Sequence, residues 1–262
     1  MTLIDDFLLE QEKYVKKYGE KTIVLMQVGS FFEVYAVDNT EEKNNNENLY
    51  NLADILNIQL TRKNKMITEN SRHNPMMIGV PIFAIDKYIQ ILLNHNYTIV
   101  MIEQTSLPPF PERNVTNIYS PGTNIEYNIK GETNNLVSLY IENVKNQNKN
   151  ITFIGASVID LSTGYNVIYE THSRVDDSNY AIDELFRFIQ TYDPKELIIV
   201  KKNYDKSDKE LINYLDLSQR IVHIKDFDIN LEDKKNFNIT YQRTFLEKIF
   251  TNNGLLSIIE YL

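Results

Sequence analysis

Residues 24–35 read VLMQVGSFFEVY, and the rest of the chain is organised around this stretch. It begins as a β-branched and apolar run that is typical of a buried strand. The run breaks at Gly29-Ser30, and two adjacent aromatic residues and a carboxylate follow at once. A strand that ends in this way is expected to present side chains to a partner.

Alternation along an extended backbone predicts which side chains these are. Phe31 and Glu33 should share one face of the strand, and Phe32 should point to the other. One phenylalanine can then anchor in the core while the other is offered outward, next to a carboxylate, as a contact for a nucleobase. The alternative is that Phe31, Phe32 and Tyr35 are all core residues, as most aromatic residues in strands are.

Length, charge and residue types limit the possible functions. The chain has 262 residues, which predicts about two domains, and a formal net charge of -9, which argues against binding DNA by general phosphate neutralisation. It contains no cysteine, so disulfides and thiolate metal sites are excluded. Without a membrane-spanning run or a signal pattern, we expect a soluble, intracellular protein. The histidines are too far apart for a local metal motif; they are His73, His95, His172 and His223.

The first region alternates helices and strands. A helix that follows Thr2 should end near Gly19, and a strand follows it. Residues 38–47 are polar and acidic and predict a mobile loop before a short helix over residues 49–56. Further signals predict an extended segment at 59–61, a helix from Ile85 to Leu93, a strand over 98–104 and a surface connection at 108–111.

The second region predicts strands first and helices later. Strands are expected at 136–141, 151–161 and 165–169, and the last two form a hairpin around Ser162-Thr163-Gly164. A helix over 180–192, a strand over 197–200, a helix near 209–215 and a strand over 220–224 should follow. This order is typical of a ribonuclease-H-like layout. A final helix over 241–250 and the apolar segment 255–262 look like a structure that continues beyond the chain.

A tight basic cluster lies between these landmarks, at Arg62, Lys63 and Lys65. It suits contacts with a phosphate backbone. A solvated loop whose charges serve solubility is the other interpretation.

Several motifs together resemble the MutS family of DNA mismatch-repair proteins. Residues 29–33, GSFFE, resemble the mismatch-reading motif of that family, which has a glycine, a variable residue, phenylalanine, an aromatic residue and glutamate. Other landmarks follow in the family's order: LTRK at 60–63, PMMIGVP at 75–81, EQ at 103–104, SPGT at 120–123 and DLSTG at 160–164.

The resemblance implies both a fold and a function. The expected fold is α/β, with a mixed-sheet mismatch-binding domain at 1–125, a ribonuclease-H-like connector domain at 131–226 and the start of a helical core at 238–262. Phe31 matches the phenylalanine that wedges beside a mispaired base, and Glu33 matches the glutamate that hydrogen-bonds it. Arg62 and Lys63 match a basic segment near the DNA backbone more loosely.

The sequence also departs from the family pattern. The family often has aspartate where this chain has Ser30, and histidine where this chain has Phe83. The acidic insert at 40–47 is a third difference. These differences alter the surroundings of the motif, while Phe31 and Glu33 are intact.

The resemblance further implies partners and a cofactor for a longer parent protein. The partners are duplex DNA with mismatches or small loops and, through the connector domain, a MutL-type protein; the parent is expected to be a dimer and an ATPase that uses ATP and Mg²⁺. No glycine of this chain is followed by lysine, so the phosphate-binding loop is absent and no cofactor is expected here. In isolation the chain should bind DNA weakly, with strong dependence on salt.

Two other functions stay open on the sequence. In a metal-dependent nuclease, Asp160 would join Asp183, Glu184 or Asp193 to hold two Mg²⁺ ions, although turn formation also explains Asp160. In a protein-interaction adaptor, the acidic second region would bind a partner.

Overall fold

A computed structural model gives the fold. It describes residues 2–107, 111–124, 127, 133–146, 149–174, 176–227, 235 and 238–250, and for residues 46, 47, 146, 149, 246, 249 and 250 it describes the backbone alone. The predicted surface connection therefore lies outside the described residues except for Pro111, and the apolar segment 255–262 lies outside them entirely.

The first helix, α1, spans Leu3–Tyr18 and has well-defined ends. Thr2 and Asp5 form a capping box, in which each side chain accepts a hydrogen bond from the backbone N–H of the other. Gly19 ends the helix with φ at 101°, a conformation that favours glycine. The buried side chains of α1 include Ile4 and Phe7, which pack on the first sheet.

The first sheet has a mixed topology. Its strands lie in the order β4-β5-β2-β1-β6-β7, and β3 pairs with the outer part of β2. The strands are β1 Thr22–Val28, β2 Phe31–Asp38, β3 Lys43–Asn44, β4 Thr61–Arg62, β5 Met76–Pro81, β6 Thr98–Gln104 and β7 Arg113–Tyr119. The helices that accompany them are α1, α2 Asn46–Leu56 and α3 Ile85–Asn94, with a 3₁₀ turn at Ile82–Ala84.

Hydrogen bonding places β1 at the centre of this sheet. It pairs antiparallel with β2 on one side and parallel with β6 on the other. Both faces of β1 are buried, which agrees with its continuous apolar sequence. The hairpin of β1 and β2 is therefore built on a buried strand that is paired on both sides.

The second sheet has the predicted ribonuclease-H-like order. Its strands lie in the order β10-β9-β8-β11-β12, and β9 runs antiparallel to both of its neighbours while β8, β11 and β12 are parallel. The strands are β8 Asn135–Asn146, β9 Lys149–Asp160, β10 Asn166–His172, β11 Glu196–Lys202 and β12 Ile221–Asp226. The helices are α4 Tyr180–Tyr192 and α5 Asp208–Tyr214, and α6 Ile239–Phe250 follows.

Each sheet has its own hydrophobic core. The first core gathers side chains from α1, α2, α3 and the first sheet, and the second gathers side chains from α4, α5 and the second sheet. The α/β fold is thereby confirmed, and each sheet with its core forms one unit. The exact limits 1–125, 131–226 and 238–262 stay predictions.

The acidic insert differs from the predicted mobile loop. Lys43–Asn44 forms β3, and α2 already begins at Asn46. Arg72 contacts Glu42 at 2.6 Å and Asp5 at 2.8 Å, so the insert is tied to the start of α1. The prediction of a loop was wrong for Lys43, Asn44 and the helical residues from Asn46, because it considered only local composition.

Candidate nucleic-acid interface

The turn between β1 and β2 has the geometry of a tight hairpin. Val28 pairs with Phe31, so Gly29 and Ser30 form the whole loop. Gly29 has φ at 59°, a backbone conformation that short hairpins require and glycine supplies. The carbonyl of Ser30 accepts a hydrogen bond from the N–H of Ile82 at 3.0 Å, which joins the turn to the end of β5.

The aromatic residues divide between the two faces of β2 as predicted. The side chain of Phe31 is 45% exposed, whereas Phe32 is 2% exposed and belongs to the core. Glu33 is half-buried. A Cβ atom on Gly79 would lie 3.7 Å from Phe31 Cδ1 and 3.8 Å from Glu33 Cγ, so both side chains lie over this glycine on one face.

Glu33 lies in an unusual electrostatic environment. Burial raises the pKa of its carboxyl group, and this effect outweighs a hydrogen bond from Tyr35 and the positive charge of Lys63. The hydroxyl of Tyr35 donates to Glu33 Oε2. Burial and the neighbouring Glu33 raise the pKa of Tyr35 well above its usual value, so the phenol remains a proton donor.

Strand pairing brings part of the basic cluster to this site. β4 pairs with β5 at Met76 and Met77, and the N–H of Lys63 donates to the carbonyl of Pro75 at 3.3 Å. The side chain of Lys63 is exposed, and its charge acts on Glu33. Arg62 Nη1 donates to the carbonyl of Ile67 at 3.4 Å, which holds the guanidinium against its own loop. The structure thus lets the charge of Lys63 act on Glu33, while the guanidinium of Arg62 is held by Ile67.

Two supporting residues were missed in the sequence. Arg113 Nε donates to the carbonyl of Gln27 at 3.1 Å, and Gln27 Nε2 donates to the carbonyl of Gly29 at 3.2 Å. The positive charge of Arg113 also lowers the pKa of Tyr35 against the raising effect of burial. Arg113 belongs to β7, whose polar sequence gave no strand signal, so its position could not be predicted.

Phe83 differs from the histidine of the family pattern and is an outward residue. It lies in the 3₁₀ turn directly after β5, and its side chain is 92% exposed. Pro81 is the residue directly before this turn, and it pairs with Phe31. Phe83 therefore lies two residues after the strand partner of the exposed Phe31.

The carboxylates of the nuclease alternative do not converge. Asp160 is buried and accepts hydrogen bonds from Asn134 N at 2.9 Å, Ser162 N at 3.0 Å and Thr163 Oγ1 at 2.7 Å. The other carboxylates have separate partners: Asp183 accepts from Tyr214, Glu184 pairs with Arg187, and Asp193 pairs with Arg220. Within the described ranges there is no group of three or more His, Cys, Asp or Glu residues that could hold a metal ion. The geometry supports the turn interpretation of Asp160.

Comparison with known proteins identifies the first unit. The family model of MutS domain I matches residues 8–128. A mutS homolog of Acanthamoeba polyphaga mimivirus is 35% identical, over 98% of this chain and 24% of its own length. The DNA mismatch repair protein MutS of Bartonella quintana is 28% identical, over 84% of this chain and 23% of its own length. The chain thus spans about a quarter of the length of the curated relatives it matches.

One solved structure that resembles part of the chain is the ribonuclease H1 of Halobacterium salinarum. It matches 36% of this chain and 87% of its own chain, with 11% identity and a TM-score of 0.24.

The fold and the hairpin define a two-unit α/β protein, with a mixed-sheet domain that presents an aromatic residue and a ribonuclease-H-like domain after it. Residues 8–128 belong to the MutS domain I family, and the chain is a homologue of the N-terminal region of MutS. The resemblance to the MutS family is thereby confirmed. None of the helices in the described part of the chain is long and apolar enough to cross a membrane.

Proposed function

We propose that this chain recognises mispaired or unpaired bases in duplex DNA through Phe31 and Glu33. The observation that carries the proposal is the exposed ring of Phe31 next to the turn of the β1–β2 hairpin, on the same face as a half-buried carboxyl group. An apolar ring that enters a base step must unstack it, at a cost of a few kcal/mol. The cost is lower where pairing is already defective, so the ring favours mismatches.

Glu33 adds a hydrogen bond whose direction depends on protonation. The N7 atom of a purine is an acceptor, so it requires a protonated carboxyl group, whereas an imino N–H requires the carboxylate. Burial already raises the pKa of Glu33 without DNA, and contact with stacked bases removes more water. Both effects favour the protonated form and a hydrogen bond to N7.

Local positive charge supports binding despite the net charge of -9. Lys63 is exposed beside Glu33, and Arg62 precedes it. We assign both to the phosphate backbone, where they would position the duplex without reading its sequence. With few such contacts, binding by this chain should be weak and sensitive to salt.

The wider roles also belong to this proposal. On the family resemblance, a longer intracellular protein would be a dimeric ATPase using ATP and Mg²⁺, and its connector domain at 131–226 would bind a MutL-type partner. The match of residues 8–128 to MutS domain I supports placing mismatch recognition, and no catalytic step, in residues 1–125.

Binding to a short duplex with one G·T mismatch or one unpaired base, against a fully paired duplex at low salt, tests the proposal. Wild type should prefer the defective duplex, and Phe31→Ala should erase that preference. Phe153→Ala is the matched control, because Phe153 is similarly exposed, at 42%, but lies on the second sheet. Equal binding of wild type to both duplexes, or an equal loss in both variants, would contradict the proposal.

A further inference from the structure

Tyr35 lies two residues after Glu33 on β2, so the two side chains share one face of the strand. The ring of Tyr35 is 1% exposed and packs edge-on against Phe7, with 5.2 Å between ring centroids. Because the ring is fixed in the core, its hydroxyl has a fixed position beside Glu33. That hydroxyl donates a hydrogen bond to Glu33 Oε2.

This hydrogen bond makes the two oxygens of Glu33 different. Oε2 accepts from Tyr35, and in the described part of the chain Oε1 has no hydrogen-bond partner. A protonated carboxyl group carries one O–H. When Oε2 already accepts a hydrogen bond from a phenol, the acid proton is better placed on Oε1, the oxygen that remains for a ligand.

We propose that Tyr35 is a positioning residue for mismatch recognition, which reserves Glu33 Oε1 for the base and keeps the acid proton on that oxygen. The inference rests on the proposed function and deepens it. It assigns to a core tyrosine the orientation of the group that donates to a purine N7. Tyr35 itself does not contact DNA, since its side chain is buried under α1.

The groups that face this pair determine how pH affects it. Glu33 and Tyr35 both belong to β2. The charge of Lys63, from the segment after β4, acts on Glu33, and the charge of Arg113, from β7, acts on Tyr35. Burial raises the pKa of Glu33, while the hydrogen bond from Tyr35 and the charge of Lys63 lower it. Removing the hydroxyl of Tyr35 therefore raises the pKa of Glu33 further.

The pKa of Glu33 determines how mismatch preference depends on pH. If protonated Glu33 donates to N7, mismatch preference is present below the pKa of Glu33 and falls as pH rises through it. In Tyr35→Phe this fall should move to higher pH. The preference at low pH should decrease, because the proton is no longer held on Oε1 and the carboxyl group is free to turn.

The alternative is that the hydroxyl of Tyr35 merely uses Glu33 to satisfy a buried polar group. In that case Tyr35→Phe still moves the fall to higher pH, through the raised pKa of Glu33, but leaves the mismatch preference at low pH as in wild type. The preference at low pH therefore separates positioning from structural support.

The first measurement is a ¹³C NMR titration of the Glu33 carboxyl carbon in wild type, Tyr35→Phe and the control Tyr97→Phe. Tyr97 is also buried, and burial alone raises its pKa. We expect the Glu33 midpoint to rise by about half a pH unit or more in Tyr35→Phe, the size of a lost hydrogen bond to a carboxylate. It should not move in Tyr97→Phe. An unchanged midpoint in Tyr35→Phe overturns the proposal.

The second measurement is the ratio of affinities for G·T and paired duplexes across the same pH range. The fall in this ratio should move upward in Tyr35→Phe, and Tyr35→Phe should have no such effect in a Glu33→Gln background. The proposal is overturned if Tyr35→Phe shifts the pH at which the affinity ratio falls by the same amount in the wild-type and Glu33→Gln backgrounds. If wild type shows no mismatch preference at any pH, the proposed function fails and this role of Tyr35 fails with it. If wild type shows the preference and Tyr35→Phe keeps the same preference at low pH, the positioning role alone is refuted.

Discussion

Ser120 donates a hydrogen bond from its Oγ to Glu196 Oε2 over 2.6 Å, which joins the segment after β7 to the first residue of β11. The N–H of Gly122 donates to the same oxygen at 3.2 Å, and His223 Nε2 lies 2.7 Å from Oε1. Burial raises the pKa of Glu196, but the hydrogen bonds of His223, Ser120 and Gly122 outweigh it and lower the pKa. One buried carboxylate thus connects the two units.

Gly122 is required by this arrangement. A Cβ atom at this position would lie 2.4 Å from Glu196 Cβ and 2.7 Å from Glu196 Oε2. We expect Gly122→Ala to lower the free energy of unfolding by about 1–3 kcal/mol, as overpacking does. Urea unfolding measures it, with Gly155→Ala as control because a Cβ there meets no atom within 4 Å. Equal stability of the two variants would contradict the packing described.

Truncation of Phe31 and of Phe32 should lower the free energy of unfolding by different amounts. Phe32→Ala removes a core side chain and should cost about 3–5 kcal/mol of the free energy of unfolding. Phe31→Ala should cost far less, because its ring is 45% exposed. Thermal and urea unfolding of both variants measure the difference. Similar losses would show that Phe31 is a core residue, against its assignment to DNA.

Lys63 should contribute to binding without contributing to discrimination. We expect Lys63→Gln to weaken binding to mismatched and paired duplexes by the same factor, and to reduce the slope of log K against log salt by about 1. Binding titrations at several salt concentrations measure this slope. Lys145→Gln is the control, an exposed lysine on the second sheet. An unchanged slope in Lys63→Gln would remove this residue from the phosphate contacts.

Asp160 should make the second unit sensitive to acid. The hydrogen bond from Ser162 and those from Asn134 and Thr163 lower the pKa of its carboxyl group despite burial. A lowered pKa contributes stability above the unfolded-state value of about 3.9, and this contribution is lost as pH falls through the folded-state pKa.

The variant Asp160→Asn tests this role. It should lower the free energy of unfolding at neutral pH by about 1–3 kcal/mol, since the amide cannot accept all the hydrogen bonds of the carboxylate. The difference from wild type should shrink toward low pH. Unfolding followed from about pH 6 to pH 2 measures it, with the exposed Asp176→Asn as control. A difference that stays constant with pH would show that the carboxylate is not the source.

Local sequence signals predicted the framework of both units. The capping residues Thr2 and Gly19 predicted α1, and the alternation around Phe31 predicted which ring is outward, because these signals depend only on neighbouring residues. The hairpin at Ser162-Thr163-Gly164 was predicted for the same reason, and its strands pair as expected.

The surroundings of Glu33 could not be predicted in this way. Lys63 reaches it only because β4 and β5 pair in turn with β2, and Arg113 reaches Gln27 only because β7 pairs with β6. Tyr35 was considered only as a possible core residue, which it is, but its hydroxyl also contacts Glu33. Contacts between distant segments depend on strand order, and composition does not encode that order locally.

The central position of β1 has a consequence for folding. Residues 22–26 pair in parallel with residues 98–102, while the hairpin with β2 is local. The hairpin that carries Phe31 can form early during synthesis, but its strand gains its second neighbour only after α3 and β6 have emerged from the ribosome. Such non-local pairing slows folding, and until it is complete one edge of an apolar strand stays open to association with other chains.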